Sequence, residues 1–249
     1  MRKILTISIL LMICWTSNLS AQIQHFTWQG VEREYLVRTP TQHDGPLPVL
    51  FFLHGLYGQI VPYDQDFNFS QMAEEFGWAI IVPQALDLGM GTMWNVGMTD
   101  SDVDDSGFLM ALLDSLMLQY HLDPDSIFFT GFSMGGFMTY RMAIEHGDRI
   151  TACAPVSGLI SNALSSVTPV APVRMLHIHG TDDYIVGYNG YSSFFTKIRS
   201  VLGWMVLSLF GRIPTDAVRN RSLTHCPTSR MMVCDSSAIP TTVAPTYNC

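Results

Sequence analysis

Apolar and polar positions change rhythm several times along this chain, and each change marks an element. In "FTWQGVEREYLVRTP", residues 26–40, apolar and polar residues alternate on either side of Gly30, the period of two that a half-buried strand requires. This predicts two paired strands closing at Pro40. "TQHDGPLP" then reads as a turn, and "VLFFLHG", 49–55, is an unbroken apolar run of the kind found in a strand covered on both faces. "FNFSQMAEEFG", 67–77, has helical spacing, with Ser70 as its cap and Gly77 as its stop. A second buried strand follows in "WAIIVPQ", 78–84.

Between residues 86 and 106 Gly, Asp, Met and Asn replace any periodic pattern, which predicts a long surface loop. Helical spacing resumes in "GFLMALLDSLMLQYHL", 107–122, with "DPDS" as its stop, and "IFFT", 127–130, is a short strand. A helix from about Met134 to His146 and strands at "ITACAPVS" and "VRMLHIHG" complete the regular part. Strands and helices taking turns in this way predict an α/β fold, a mostly parallel central sheet with helices on both faces. Functional residues then belong at the C-terminal ends of the strands. No internal repeat or interdomain linker stands out, but after about Arg199 the composition shifts and no strand pattern continues.

Composition narrows the class. The chain has 249 residues, 48% hydrophobic and 14% charged, which suits one domain burying a large core rather than a disordered segment. A formal charge of -8, with no basic cluster beyond the N-terminus, argues against nucleic acid or an anionic membrane surface as partner. A neutral substrate fits better.

The N-terminus has Arg2 and Lys3, an apolar run over 4–15 and then Leu19-Ser20-Ala21, the layout of a secretory signal peptide cleaved after Ala21. The run is shorter than the roughly 20 residues of a spanning helix, so no stable membrane anchor is expected, and the protein is expected to be exported. Cys14 leaves with that segment. Cys153, Cys226, Cys234 and Cys249 remain where disulfides form, and four cysteines allow three pairings. Their irregular spacing, without paired histidines, is not a metal pattern, and no cofactor is implied.

Candidate chemistry centres on Gly131-Phe132-Ser133-Met134-Gly135, a G-x-S-x-G sequence between a predicted strand and a predicted helix. The glycines let helix and strand pack closely around a strained turn that pushes the serine hydroxyl out of the sheet edge. Ser133 is the candidate nucleophile. A serine hydroxyl needs a base, and the base an orienting carboxylate. In "MLHIHGTDDYIVGYNG" an apolar strand ends at His179-Gly180 and is followed by Asp182 and Asp183, at the same edge as Ser133. "LHGLYG", 53–58, can turn a backbone amide at Leu56 or Tyr57 towards the site beside that of Met134, making an oxyanion hole. His54 precedes the serine and reads as a structural imidazole holding that loop.

Together, "VLFFLHG", "WNVGMTDSDVDDSGFL", "DSIFFTGFSMGGFMTYRMA", "ITACAPVSG" and "MLHIHGTDDYIVGYNG" resemble, over residues 26–191, a secreted α/β-hydrolase of the polyhydroxybutyrate depolymerase type. That group includes the feruloyl and acetylxylan esterases of carbohydrate esterase family 1. The resemblance implies an α/β-hydrolase fold and hydrolysis of a small-molecule or polymer ester, a feruloyl or acetyl ester on plant polysaccharide or a polyhydroxyalkanoate-type polyester. It carries the nucleophile to Ser133, the acid to Asp183 rather than Asp182, and the oxyanion amides to Leu56 and Met134. Gly187 stands where relatives have a proline.

The base departs from the pattern. Relatives supply a histidine in a glycine-rich turn followed by a tryptophan and a proline, whereas here the only histidine after Asp183 is His225, in "SLTHCPTSRMM". Chain order Ser, Asp, His is kept without that setting. Three readings stay open: a serine esterase with His225 as base, a non-catalytic or truncated binding protein that kept the elbow and lost its base, and a peptidase of the same fold, which the resemblance to esterases disfavours. The chain thus divides into a signal peptide, 1–21, an esterase domain, 22–198, and a divergent, truncated or frame-shifted segment, 199–249.

Overall fold

A computed structural model describes residues 23–188, residue 190 and residues 231–234. The signal-peptide expectation, His225, Cys226 and Cys249 lie outside the described residues. Strands β1, Gln24–Trp28, and β2, Val31–Arg38, form the expected hairpin. Its two-residue loop has positive φ at both Gln29 and Gly30, the twist that two-residue hairpins favour. Then come β3, Leu47–Leu53, β4, Ala79–Pro83, β5, Leu122–Phe132, β6, Ala152–Val156, β7, Arg174–Met175, β8, His177–Gly180, and β9, Met231–Cys234.

The sheet runs β1-β2-β4-β3-β5-β6-β8-β9, with β7 paired to β6. Strands β4, β3, β5, β6 and β8 are mutually parallel, and antiparallel neighbours close both sides. Helices α1, Ile60–Phe67, and α2, Phe69–Phe76, cover one face, while α3, Asp105–Gln119, and α4, Met134–Glu145, cover the other. Alternation along the strands divides the core accordingly. Leu36, Phe52, Ile80 and Val82 pack towards α1 and α2, and Val37, Phe51, Leu53 and Ile81 join the larger cluster beneath α3 and α4.

Several expectations need correction. The cap of the first predicted helix is Asn68 rather than Ser70; at φ 50 it ends α1 and begins α2 at once, a conformation asparagine tolerates. Helix α1 escapes the pattern because Pro62 interrupts it. Pro62 sits in the first helical turn, where a missing N–H costs nothing. "DPDS" is no helix stop. Helix α3 ends at Tyr120, and "DPDS" bulges from β5, whose pairing with β3 jumps from Leu47↔Leu122 to Val49↔Ile127.

The 86–106 segment is only partly at the surface, since Trp94, Asn95, Val96, Asp105 and Ser106 are buried. Asp105 begins α3 and accepts from the Asn95 amide and from Arg33, whose Nη2 lies 2.6 Å from Oδ1. The tail read as strandless supplies β9, antiparallel to β8. Cys153 is a free thiol buried in β6, and that burial pushes its pKa up.

Candidate active site

Ser133 stands between the end of β5 and the start of α4 at φ 54 and ψ -118, a backbone conformation that L-residues seldom adopt. Its amide donates to the Val156 carbonyl at 2.9 Å, tying the turn to β6, and its hydroxyl does not cap the helix. Close approach explains the two flanking glycines. A Cβ on Gly131 would come within 2.5 Å of the Gly135 backbone, and one on Gly135 would overlap the Leu53 carbonyl. The first turn of α4 therefore lies against the end of β3, and this contact holds the serine at the edge.

The same contact brings in the loop after β3. Leu53 is in register with Gly131, and a Cβ on Gly55 would touch the Phe132 carbonyl at 3.4 Å. Between the two candidate amides of this loop the structure discriminates. The Tyr57 amide donates to the Thr92 carbonyl at 2.8 Å, while the Leu56 amide has no acceptor among the described residues. Met134, first residue of α4, likewise has an amide with no intrahelical acceptor. The helix dipole adds partial positive charge where an oxyanion would form.

His54 is fully buried with both ring nitrogens engaged. Nδ1–H donates to the Gly55 carbonyl at 2.7 Å, so Nε2 is the acceptor, taking the Ala85 amide at 3.0 Å and Gln84 Nε2 at 2.9 Å. Burial lowers its pKa to about 4, the Gly55 hydrogen bond opposing only in part. Trp94 Nε1 donates to the His54 carbonyl at 2.9 Å. His54 is a neutral brace for the loop. Gln84, Thr92 and Trp94 share that work, which sequence reading missed because they sit in or beside a segment without periodicity.

Asp183 follows β8. Val156 pairs with Ile178, so β5, β6 and β8 deliver Ser133 and Asp183 to one edge of the sheet. Oδ1 of Asp183 accepts the amides of Ile185 at 3.0 Å and Val186 at 2.9 Å, which fixes the carboxylate, and Oδ2 lies 3.5 Å from His179 Nε2. Asp182 is exposed. His179 Nε2 hydrogen-bonds the Val186 carbonyl at 2.8 Å and is buried. Exposed apolar side chains surround the edge: Leu56, Tyr57, Phe132, Tyr184 and Ile185. His225 lies outside the described residues.

A mostly parallel sheet in this order, with a strained serine between obligatory glycines at the end of its central strand, is the α/β-hydrolase architecture. Residues 39–205 match the model of the family described as Phospholipase/Carboxylesterase, and the chain belongs to that family. It is 29% identical over 178 residues to a bifunctional acetylxylan esterase/xylanase of Neocallimastix patriciarum, across 69% of this chain and 24% of the relative. It is 28% identical over 163 residues to feruloyl esterase B of Piromyces equi, across 64% of this chain and 30% of the relative. The chain thus spans under a third of the length of these two proteins. Among solved structures, a thermostable esterase superposes with a TM-score of 0.57 at 20% identity, covering 75% of this chain and 52% of that one, a likeness of fold.

Proposed function

We propose that this protein is an exported carboxylic ester hydrolase working through an acyl-enzyme. Ser133 attacks the ester carbonyl, the Leu56 and Met134 amides hold the oxyanion, and His225 moves the proton while Asp183 orients it. Water then releases the acid. The observation that carries this reading is the backbone of Ser133, held at φ 54 by the approach of α4 to β3. Strain of this kind costs on the order of 1–3 kcal/mol and persists where it presents a reactive group.

The acid assignment draws on the two amides that clamp Asp183, and the choice of Leu56 on the engagement of Tyr57 with Thr92. Leu56 and Tyr57 on one side and Tyr184 and Ile185 on the other offer an apolar rim for an aryl or alkyl acyl group. Acetyl and feruloyl esters of plant polysaccharide are the proposed substrates, in keeping with the names of the two relatives. Export is proposed from the charged start and apolar run of residues 2–15; among the described residues no helix is long and apolar enough to cross a membrane. The proposed esterase unit is 22–198.

A fluorophosphonate probe tests the proposal directly. Covalent labelling at Ser133, absent in Ser133→Ala, together with turnover of a p-nitrophenyl ester, is the expected result. A folded protein that neither labels nor turns over is a binding protein with an idle elbow. Acetylated xylan, a feruloylated oligosaccharide and a polyhydroxybutyrate film, assayed side by side, then rank the substrate classes.

A further inference from the structure

The loop that carries Asp183 is held from inside the sheet. It leaves β8 at Gly180, whose carbonyl accepts the Asp183 amide at 3.2 Å, and it returns to the core at Val186, which is buried. Tyr184 and Ile185 between them are exposed. Val186 fixes the loop in two directions. Its amide donates to Asp183 Oδ1 at 2.9 Å, and its carbonyl meets His179 Nε2 at 2.8 Å. A carbonyl can only accept, so Nε2 carries the proton and Nδ1 of the neutral ring is a bare lone pair.

That lone pair is buried and has no partner among the described residues. An orphaned acceptor in the core is costly, and an apolar residue at 179 would continue the strand without it. What the imidazole supplies against that cost is one N–H, placed inside the sheet and aimed at the loop.

Where this N–H goes matters because the carboxylate of Asp183 lies beside it. Oδ1 takes the amides of Ile185 and Val186, while Oδ2 has no hydrogen bond among the described residues. His179 Nε2 is 3.5 Å from Oδ2, beyond the span of about 2.7–3.2 Å for an N–H···O bond, and the nearer Val186 carbonyl claims its proton. One oxygen is therefore bound within the loop and the other stays open. We propose that His179 is a positioning residue for the acid: through the Val186 carbonyl it locks the loop that clamps Asp183 Oδ1, and so keeps Oδ2 for the base. The inference rests on the esterase reading, in which Asp183 orients that base.

Three substitutions, assayed on one aryl ester, test it. His179→Gln carries an N–H to about the reach of Nε2, His179→Asn keeps an amide that stops at the reach of Nδ1, and His179→Leu keeps bulk without a donor. His179→Leu and His179→Asn are expected to lower kcat roughly tenfold or more with KM within about twofold, and His179→Gln to restore most of the loss. Made on Asp183→Asn, His179→Leu should change the residual kcat by less than about twofold, because a residue acting through Asp183 has nothing left to act on. Hydrogen exchange locates the effect. The Ile185 and Val186 amides should exchange about tenfold faster in His179→Leu and His179→Asn than in His179→Gln, while the amides of β3 keep their rates. The proposal is overturned by unchanged kcat in a folded His179→Leu or His179→Asn, by equal losses with and without Asp183→Asn, by unmoved exchange at Ile185 and Val186, or by exchange that rises as much in β3. Failure of the esterase reading is told apart from all of these, because the unmodified protein would then neither turn over the ester nor take the fluorophosphonate label.

Discussion

Gly135 lies so close to Leu53 that the first side-chain carbon of any other residue would overlap the Leu53 carbonyl. The obstacle is backbone on both sides, so no rotamer change relieves it. Gly135→Ala is expected to destabilise the protein at or above the upper end of the usual 1–3 kcal/mol for overpacking, and to move the serine with α4. Denaturant unfolding of this variant beside Gly45→Ala checks it, because a Cβ at Gly45 meets nothing within 4 Å. Equal midpoints would refute the close approach.

Ser133→Ala and Ser133→Gly are both expected to lose ester hydrolysis by orders of magnitude, since each removes the proposed nucleophile. They should differ in stability. At φ 54 and ψ -118 a Cβ is strained and glycine is not, so the glycine variant is expected to unfold later than the alanine variant, by about 1 kcal/mol. The reverse order would place the strain elsewhere.

Asp183→Asn is expected to lower kcat far more than Asp182→Asn. Of the two, Asp183 is the one whose carboxylate is clamped by two amides, and asparagine there stabilises no imidazolium. Similar losses at the two positions would reassign the acid.

His225→Ala is expected to reduce turnover of an aryl ester to the level of Ser133→Ala. A comparison chain ending in a glycine-rich turn that carries histidine, tryptophan and proline serves as reference. If the unmodified chain is inert and the reference active, His225 is not the base.

Acid should weaken the fold through two imidazoles. Burial lowers the pKa of both His54 and His177 to about 4, His179 adding to the effect at His177. The unfolded chain therefore takes up protons from about pH 6.5 and the folded chain only near 4, so their stabilisation is whole above this window and drains as pH falls through it. Each accounts for roughly 3 kcal/mol by this linkage. Urea midpoints at pH 7 and 4.5 measure the loss, and a flat profile would mean that protons already reach both rings in the folded state.

What the sequence made legible was local. Ser133 and its glycines form a contiguous signal, because steric need at one turn dictates residue type within five positions. The strands of the parallel sheet were equally plain as apolar runs. Leu56 could not be separated from Tyr57 in this way, since the choice depends on the Thr92 carbonyl, brought in from a segment with no period of its own. Arg33 gave no hint either. The alternation of β2 sets it on the core face, and only the fold supplies Asp105 to receive it. Pro62 concealed α1 because one proline outweighs the pattern around it, although the first helical turn has no use for its N–H.

The stretch from Gln84 to Trp94 braces His54 and, through the Thr92 carbonyl, engages the Tyr57 amide next to that of Leu56. An insertion or loop exchange there displaces Thr92 and leaves two neighbouring amides free where one is free now. Drift in a segment that carries none of the proposed catalytic groups is therefore expected to register at the proposed oxyanion site.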